Sequence, residues 1–370
     1  FEIMLLASYV LLAHGGGLTR TRAGITYVVL NLVGSAVFLI ALGLLYGTLG
    51  TLNLADVARV LALPGYDRSL ARLACALLVA VFVLKAGLLP LSFWLPHTYS
   101  AAGAPVAALF AIMTKVGIVA ILRVQAVALA PAMPDLLDHW LTTLALATIV
   151  FAALGALAAA RLRALAAWLV LLSAGTMLLV PAQASAEVSA AALYYLVQST
   201  LAGAACFLLS DLIAAQRGKV ADQFMAGPPL QAIWLKVAFL VLATTAAALP
   251  PFSGFIGKLM LLSSLRSAAA APVMWTVLLT SGFVVMAALA RDGCYLIWKH
   301  KATARPLALE AIGWQRATAV LLLVAAGPLL ALLARPLADY TARAAAQLHA
   351  PGGYVTGVLG ASATNREAAP

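Results

Sequence analysis

The sequence has very little charge. Only 9% of its 370 residues are Asp, Glu, Lys or Arg, whereas soluble domains carry about 25%. Hydrophobic residues make up 64% of the chain, and its mean hydropathy is +1.04. This composition excludes a soluble globular protein. The apolar segments run for about 20 residues without alternation, which excludes a transmembrane β-barrel. We therefore predict an all-α polytopic membrane protein.

Cysteine is also scarce. Cys75, Cys206 and Cys294 are far apart and form no CxxC pair, so neither a zinc site nor an iron–sulfur site is predicted. No Walker A motif, dinucleotide fingerprint or HExxH motif occurs, so we predict no catalytic residues, metal or cofactor. The net charge of +11 is expected to anchor loops at the membrane rather than to bind nucleic acid.

Apolar runs of membrane-spanning length predict ten helices. They cover residues 1–13, 24–48, 70–94, 104–128, 138–159, 164–182, 188–214, 230–267, 272–298 and 314–335. The first run is short and opens inside a helix, so we expect the chain to begin partway through a longer protein. Pro90 interrupts the third run, and Pro250 and Pro251 interrupt the eighth, which predicts two broken helices.

Basic residues alternate between the two sets of loops. The richer set contains Arg20, Arg22, Arg161, Arg163, Arg217, Lys219, Lys299, Lys301 and Arg305. The poorer set contains Arg59, Arg68, Arg72, Arg266, Arg335 and Arg343. By the positive-inside rule the richer set is cytoplasmic, which places the C-terminus outside. We predict a transmembrane domain over residues 1–343 and a polar, disordered tail over residues 344–370.

Lys85 and Lys115 lie inside long apolar runs. A lysine near the bilayer centre costs about 3 kcal/mol on insertion scales, so such residues generally serve function. Lys115 is close to the centre of its run, between Pro105 and Arg123, where snorkelling to the interface is difficult. Lys85 lies later in its run, so snorkelling is the alternative there. Both lysines are candidates for carrying protons or cations.

Three further residues are candidates for carrying protons, and a fourth, Lys236, is a lysine for which a structural position is the stronger interpretation. Glu2 lies in the partial first helix, where it either pairs with Lys85 or is solvated at a helix end. His97 lies between the two lysine helices and either passes protons between them or forms a structural hydrogen bond. Lys258 follows the second helix break. Lys236 is near a basic loop and can snorkel, so function is the weaker interpretation there.

Four blocks of sequence resemble one family. They are FEIMLLASYVLLAHGG, NLVGSAVFLIALGLLYGTLGTLNLADVA, KAGLLPLSFWLPHTYSAAGAPVAALFAIMTKVGIVAILR and PPFSGFIGKL. They are similar to the D-type subunit of Mrp-type (Pha) monovalent cation/proton antiporters, which is related to the antiporter-like subunits of respiratory complex I. The resemblance covers essentially the whole chain, from the family's fifth helix to its fourteenth. It implies the antiporter-like fold, with inverted repeats and two broken helices, and ten of the family's fourteen helices.

The resemblance also implies residue roles. Glu2 matches the fifth-helix glutamate, and Lys85 matches the seventh-helix lysine that pairs with it. Lys115 matches the central lysine of the eighth helix, and Lys258 matches the exit residue of the twelfth. His97 matches the hairpin position after Trp-Leu-Pro.

The sequence departs from the family at Gln198, where relatives often carry histidine. Glutamine does not titrate, which puts proton transfer through that helix in doubt, although its amide can hold water.

The resemblance implies a subunit of a multi-subunit Na⁺(K⁺)/H⁺ antiporter in the bacterial cytoplasmic (inner) membrane. Its partners would be the other subunits, protons, Na⁺ or K⁺, and membrane lipid. The alternative is a proton-pumping subunit of NADH:quinone oxidoreductase (complex I) or of a membrane-bound hydrogenase. A third interpretation is a passive scaffold whose lysines bind anionic lipid headgroups, and the central position of Lys115 argues against it. No enzymatic reaction of the chain itself is expected.

Overall fold

The computed structural model describes residues 2–137, 140–299 and 312–360. Lys301 and Arg305 of the richer basic set lie outside these residues. The helices are α1 Glu2–Ala13, α2 Leu18–Leu49, α3 Leu54–Leu61, α4 Arg68–Ala86, α5 Trp94–Ala101, α6 Ala104–Val124, α7 Ala130–Ala132, α8 Trp140–Ala158, α9 Leu162–Leu178, α10 Ala186–Arg217, α11 Ile233–Ala246, α12 Ser253–Ser264, α13 Ala271–Ile297, α14 Trp314–Leu332, α15 Ala334–Leu348 and α16 Pro351–Leu359.

Within the described residues, eight helical segments are long and apolar enough to cross a membrane, and α1 and α11 are shorter apolar helices. These ten segments correspond to the ten predicted from the sequence. The all-α polytopic fold is therefore confirmed.

Helices α9 and α10 form the centre of the protein. In the most apolar stretch of the α9 segment, 83% of the residues are buried inside the protein. The corresponding shares are 22% for α2 and 11% for α14. Helix α10 packs against α6, α9, α11, α12, α14 and α15. Apolar side chains on α2 and α14 can stay on the outer surface because lipid is as apolar as they are.

Both predicted helix breaks are present. Helix α4 ends at Ala86, where Gly87 adopts a left-handed φ of 80°. A Cβ on Gly87 would lie 2.7 Å from Leu95 Cδ1, so the turn needs glycine here. The freed Leu89 N–H donates to Thr148 Oγ1 of α8 at 3.0 Å, as a broken membrane helix requires. The second break lies between Ala246 and Ser253 and contains Pro250 and Pro251.

The C-terminal region differs from the prediction. Residues 344–370 are predicted to be a disordered tail, but residues through Leu348 continue α15 and Pro351–Leu359 form α16. Helix α15 packs on α10, and α16 packs on α3. The Ala/Gly-rich composition suggested disorder, whereas the amphipathic spacing of α15 and the proline at the start of α16 favour helix. Residues 361–370 of the predicted tail lie outside the described residues.

Candidate functional site

Lys85 lies at the first helix break with an amide partner. Its side chain is only 4% exposed. Its Nζ donates to Asn31 Oδ1 of α2 at 2.9 Å and lies 3.5 Å from the Asn31 carbonyl oxygen. Gly34 on α2 leaves room for Leu84, because a Cβ there would lie 2.8 Å from Leu84 Cδ2, and the Lys85 side chain passes beside it, with Nζ 3.8 Å from the same position. The amine is thus held inside the protein rather than snorkelling to the interface.

The carboxylate of Glu2 lies at the other end of the same polar row on α2. Ser35 Oγ is 2.5 Å from Glu2 Oε2 and 2.9 Å from the Asn31 carbonyl oxygen, and its single proton can be donated to one of them at a time. Asn31 and Ser35 are four residues apart and therefore share one helix face. Ser35 and Asn31 thus connect the Glu2 carboxylate to the Lys85 amine, and direct pairing of Glu2 with Lys85 stays a prediction.

Asn31 and Ser35 were missed at the sequence level. The signal for them was a pair of polar residues spaced i, i+4 in an otherwise apolar helix.

Lys115 is buried between α6 and α9. It is 2% exposed, and its Nζ hydrogen-bonds Ser173 Oγ of α9. The Ser173 hydroxyl donates to the Val170 carbonyl at 2.7 Å, so its oxygen is available to accept from the lysine. Gly117 lets α6 approach α4 closely: a Cβ there would lie 3.1 Å from both Ala86 N and Phe82 O. The helices that carry Lys85 and Lys115 are therefore in direct backbone contact.

Ser173, the hydrogen-bond partner of Lys115, and Lys258 line the same cavity. Its volume is about 40 Å³, and its polar lining consists of Ser173, Tyr195, Gln198, Ser199, Thr245 and Lys258. A single water needs roughly 10–15 Å³ measured in the same way. The cavity therefore has room for a few waters between Ser173 on α9 and Lys258 on α12.

Lys258 borders a second, more apolar cavity between α12 and α13. This cavity has a volume of about 260 Å³ and includes Thr176, Phe283 and Met286 in its lining. A Cβ on Gly282 would lie 3.5 Å from Lys258 Nζ. Among the described residues, Lys258 has no hydrogen-bond or ion-pair partner. Its amine is thus free to contact water in either cavity.

Gln198 is 4% exposed and lines the first cavity beside the second helix break. Its Nε2 lies 3.3 Å from the position that a Cβ on Gly254 would take. An amide offers both donors and an acceptor to water. The predicted role of Gln198 in holding water stays a prediction. Its place in the cavity lining is compatible with that role.

His97 is not part of this buried cluster. The residue is exposed on α5, and its imidazole makes no hydrogen bond within the part of the chain that the structure describes. Lys85 and Lys115, by contrast, are 4% and 2% exposed. The structure therefore does not place His97 between the two lysines, as sequence position suggested. Helix α5 buries Trp94, Leu95, Thr98 and Tyr99, and His97 lies on its exposed side.

Comparison with known proteins gives a consistent result. The family model described as "NADH:quinone oxidoreductase/Mrp antiporter, TM" matches residues 1–286. The chain is 37% identical to a protein of Rhizobium meliloti (strain 1021) named as a probable K(+)/H(+) antiporter D subunit, over 95% of this chain and 70% of that protein. It is 32% identical to the Na(+)/H(+) antiporter D subunit of Bacillus subtilis (strain 168), over 97% of this chain and 72% of that protein.

A solved structure of the Mrp complex from Dietzia sp. DQ12-45-1b contains a similar chain. The TM-score is 0.84 at 25% identity, covering 97% of this chain and 74% of that chain. The sequence match, the relatives and the shared fold agree with the buried lysines at two helix breaks. The chain belongs to the family of membrane subunits shared by NADH:quinone oxidoreductases and Mrp antiporters.

Proposed function

We propose that the chain is the D-type subunit of a hetero-oligomeric monovalent cation/proton antiporter. Protons move through it by way of Glu2, Lys85, Lys115 and Lys258. The identities of 37% and 32% to proteins named as D subunits of antiporters support this assignment. The observation that carries the proton route is the path from Lys115 through Ser173 to the cavity that Lys258 also lines.

The route has three steps. Attraction within the Glu2–Lys85 pair favours the protonated lysine, and separation of the pair favours release of its proton. Lys115 receives the proton on the helix packed directly against α4. The proton then passes through the Ser173 hydroxyl and cavity water to Lys258. Each step uses a group that can both accept and donate a proton or a hydrogen bond.

The proposed setting is the cytoplasmic membrane of a bacterium. The loops richer in basic residues lie in the cytoplasm, and α15 and α16 lie outside. The other subunits of the complex supply the cation pathway, and the chain itself catalyses no chemical reaction. The two relatives are named for K⁺ and for Na⁺, so both cations belong in the test.

The test compares Lys115 variants in everted vesicles that contain the complete complex. Lys115→Ala is expected to abolish cation-dependent dissipation of a pH gradient while the complex still assembles. Lys115→Arg is also expected to be inactive, because arginine keeps the charge but does not release its proton. Lys236→Ala is the matched control, since Lys236 is a half-buried lysine near a membrane boundary, and it is expected to retain transport. Full antiport by Lys115→Ala at normal protein levels would refute the relay.

A redox-driven proton pump is the second candidate, because the matching family model also covers NADH:quinone oxidoreductase. In that case the vesicles would acidify on addition of NADH or another reductant, without any requirement for Na⁺ or K⁺. Antiport that needs the cation and no reductant would exclude this candidate. Neighbouring genes for quinone-reductase and iron–sulfur subunits would favour it.

A further inference from the structure

Asp292 on α13 is a buried carboxylate that the proposed route does not use. Its side chain is 0% exposed. Oδ1 accepts a hydrogen bond from Nε of Arg291 at 2.7 Å and lies 2.7 Å from Nη2 in an ion pair. Oδ2 is buried as well, and it has no hydrogen-bond partner among the described residues. Leaving a buried acceptor unsatisfied costs about 1–3 kcal/mol, and more for a charged group. Such an atom is therefore expected to serve a purpose.

Asp292 does not itself line the cavity that contains Lys258, but its neighbours on α13 and α11 do. Leu289, one helical turn earlier, lines that cavity, and so does Phe239 of α11. Phe239 also packs against Gly293, where a Cβ would lie 2.9 Å from Phe239 Cε1. Asp292 is thus flanked on α13 by a residue that lines the cavity and by a residue that contacts its wall.

One end of the cavity is near one face of the membrane. Leu162, the first residue of α9, belongs to the cavity lining. Asp292 precedes the end of α13 at Ile297 by five residues, which is about 8 Å along the helix axis. The side chain of Arg291 is 43% exposed. Asp292 is therefore adjacent to a partly exposed arginine and about one helical turn from Leu289, which lines the interior cavity.

We propose that Asp292 carries protons between this membrane face and the cavity of Lys258. Arg291 holds Oδ1 in place, and Oδ2 is the atom that binds and releases the proton. A proton taken up at Oδ2 passes to water in the cavity and then to Lys258, and no other bond forms or breaks. This inference rests on the proposed antiport function and adds an entrance to its proton route.

Among the described residues, few charged groups lie on the elements that pack most extensively against α13. The helices packed against α13 are α8 and α11, together with the turn Leu265–Ser267. Helix α8 contains no titratable side chain, and α11 contributes Lys236. Arg266 lies in the turn at the opposite end of α13. Lys236 makes no hydrogen bond or ion pair within the described residues. Arg291 is therefore the cation that fixes the carboxylate.

The experiment uses the complete complex in everted vesicles. Asp292→Asn keeps the shape but cannot carry a proton, and it is expected to lower cation-dependent proton transport about 10-fold or more. Asp292→Glu is expected to keep transport and to change its pH profile. Asp339→Asn is the matched control, because Asp339 is an exposed carboxylate on α15 outside the route, and it is expected to leave transport and its pH profile unchanged.

A second measurement does not depend on transport. Infrared difference spectra of the purified complex, recorded during a pH titration, report the C=O stretch of protonated carboxylic acids. Asp292→Asn is expected to remove one such band, and Asp292→Glu is expected to shift it. A merely structural role would leave this band in place. This measurement also decides the case in which Asp292→Asn fails to accumulate, because the Asp292→Glu shift remains.

The outcomes separate the inference from the proposed function. Normal antiport by Asp292→Asn with an unchanged infrared band would overturn the inference, while wild-type antiport would leave the proposed function standing. Absence of antiport in the wild-type complex would overturn the proposed function. In that case the infrared band still decides whether Asp292 binds a proton.

Discussion

Alanine at Gly254 should disrupt the second helix break. A Cβ at this position would lie 1.9 Å from the Thr245 carbonyl oxygen, whereas real Cβ atoms essentially never approach closer than 3.0 Å. The two atoms must therefore separate by about 1.1 Å. Because Thr245 O is a backbone atom, no side-chain rotation relieves the clash, and α12 must move relative to α11. Lys258, one turn further along α12, would move with it.

The magnitude follows from the cost of overpacking. Extra methyl groups in packed cores cost about 1–3 kcal/mol, and the backbone clash at Gly254 favours the upper part of that range. A change of about 1.4 kcal/mol alters an equilibrium constant tenfold. The midpoint of unfolding in mixed detergent–SDS titrations should therefore move measurably to lower SDS content. Antiport should fall as well, because the cavity between Gln198 and Lys258 changes shape.

Two other glycines provide controls for Gly254→Ala. At Gly282 a Cβ would lie 3.5 Å from the flexible end of Lys258, and at Gly257 it would lie 3.2 Å from Tyr195 Cδ2, which is a side-chain atom. Gly282→Ala should have the same SDS midpoint of unfolding as the wild type. The midpoint of Gly257→Ala should lie between those of the wild type and Gly254→Ala. Equal stability and antiport for Gly254→Ala and wild type would show that the break is not held by this contact.

Three further variants test other parts of the structure. His97→Ala should retain antiport because His97 is exposed on α5; loss of antiport in vesicles would return this residue to the route. Asp222→Ala removes the oxygen that accepts from the Arg163 N–H at 2.9 Å in the first turn of α9, so the SDS titration should show a loss of about 0.5–2 kcal/mol. Burial lowers the pKa of His349 below its ordinary value of 6.5 while Ser189 Oγ lies 2.9 Å from its ring. The folded state therefore favours neutral His349, and its stabilising contribution, present above pH 6.5, should be lost as pH falls through the lowered pKa. His349→Gln should flatten this dependence of the SDS midpoint on pH.

The sequence alone identified residues that are energetically costly inside a membrane helix. A lysine inside an apolar run and a proline in a membrane helix are both costly. Lys115, Lys258, Pro90 and Pro250 could therefore be identified without a structure, together with the number of spans. Glu2 could be identified as well, although the sequence left its depth in the membrane open.

The partners of the lysines could not be identified in the same way. Asn31 and Ser173 are neutral polar residues, which occur in many membrane helices and bond their own backbone. Only the packing of α2 against α4 and of α6 against α9 shows that they face the lysines. Asp292 was overlooked for a related reason. It follows Arg291 near a helix end, where an exposed ion pair is expected, and burial of its Oδ2 depends on the neighbouring helices.

The chemical type of these partners bears on how a lysine can exchange a proton. A close carboxylate holds an ammonium group strongly, whereas an amide or a hydroxyl interacts with it more weakly. The Ser173 hydroxyl can accept a hydrogen bond from protonated Lys115, or rotate and donate one to the neutral amine. The amide of Asn31 likewise offers an acceptor and donors next to Lys85. Because each partner can satisfy both protonation states, neither state leaves a buried polar atom unpaired. Replacing Ser173 by aspartate would remove this property, and such a variant should assemble but transport more slowly than the wild type.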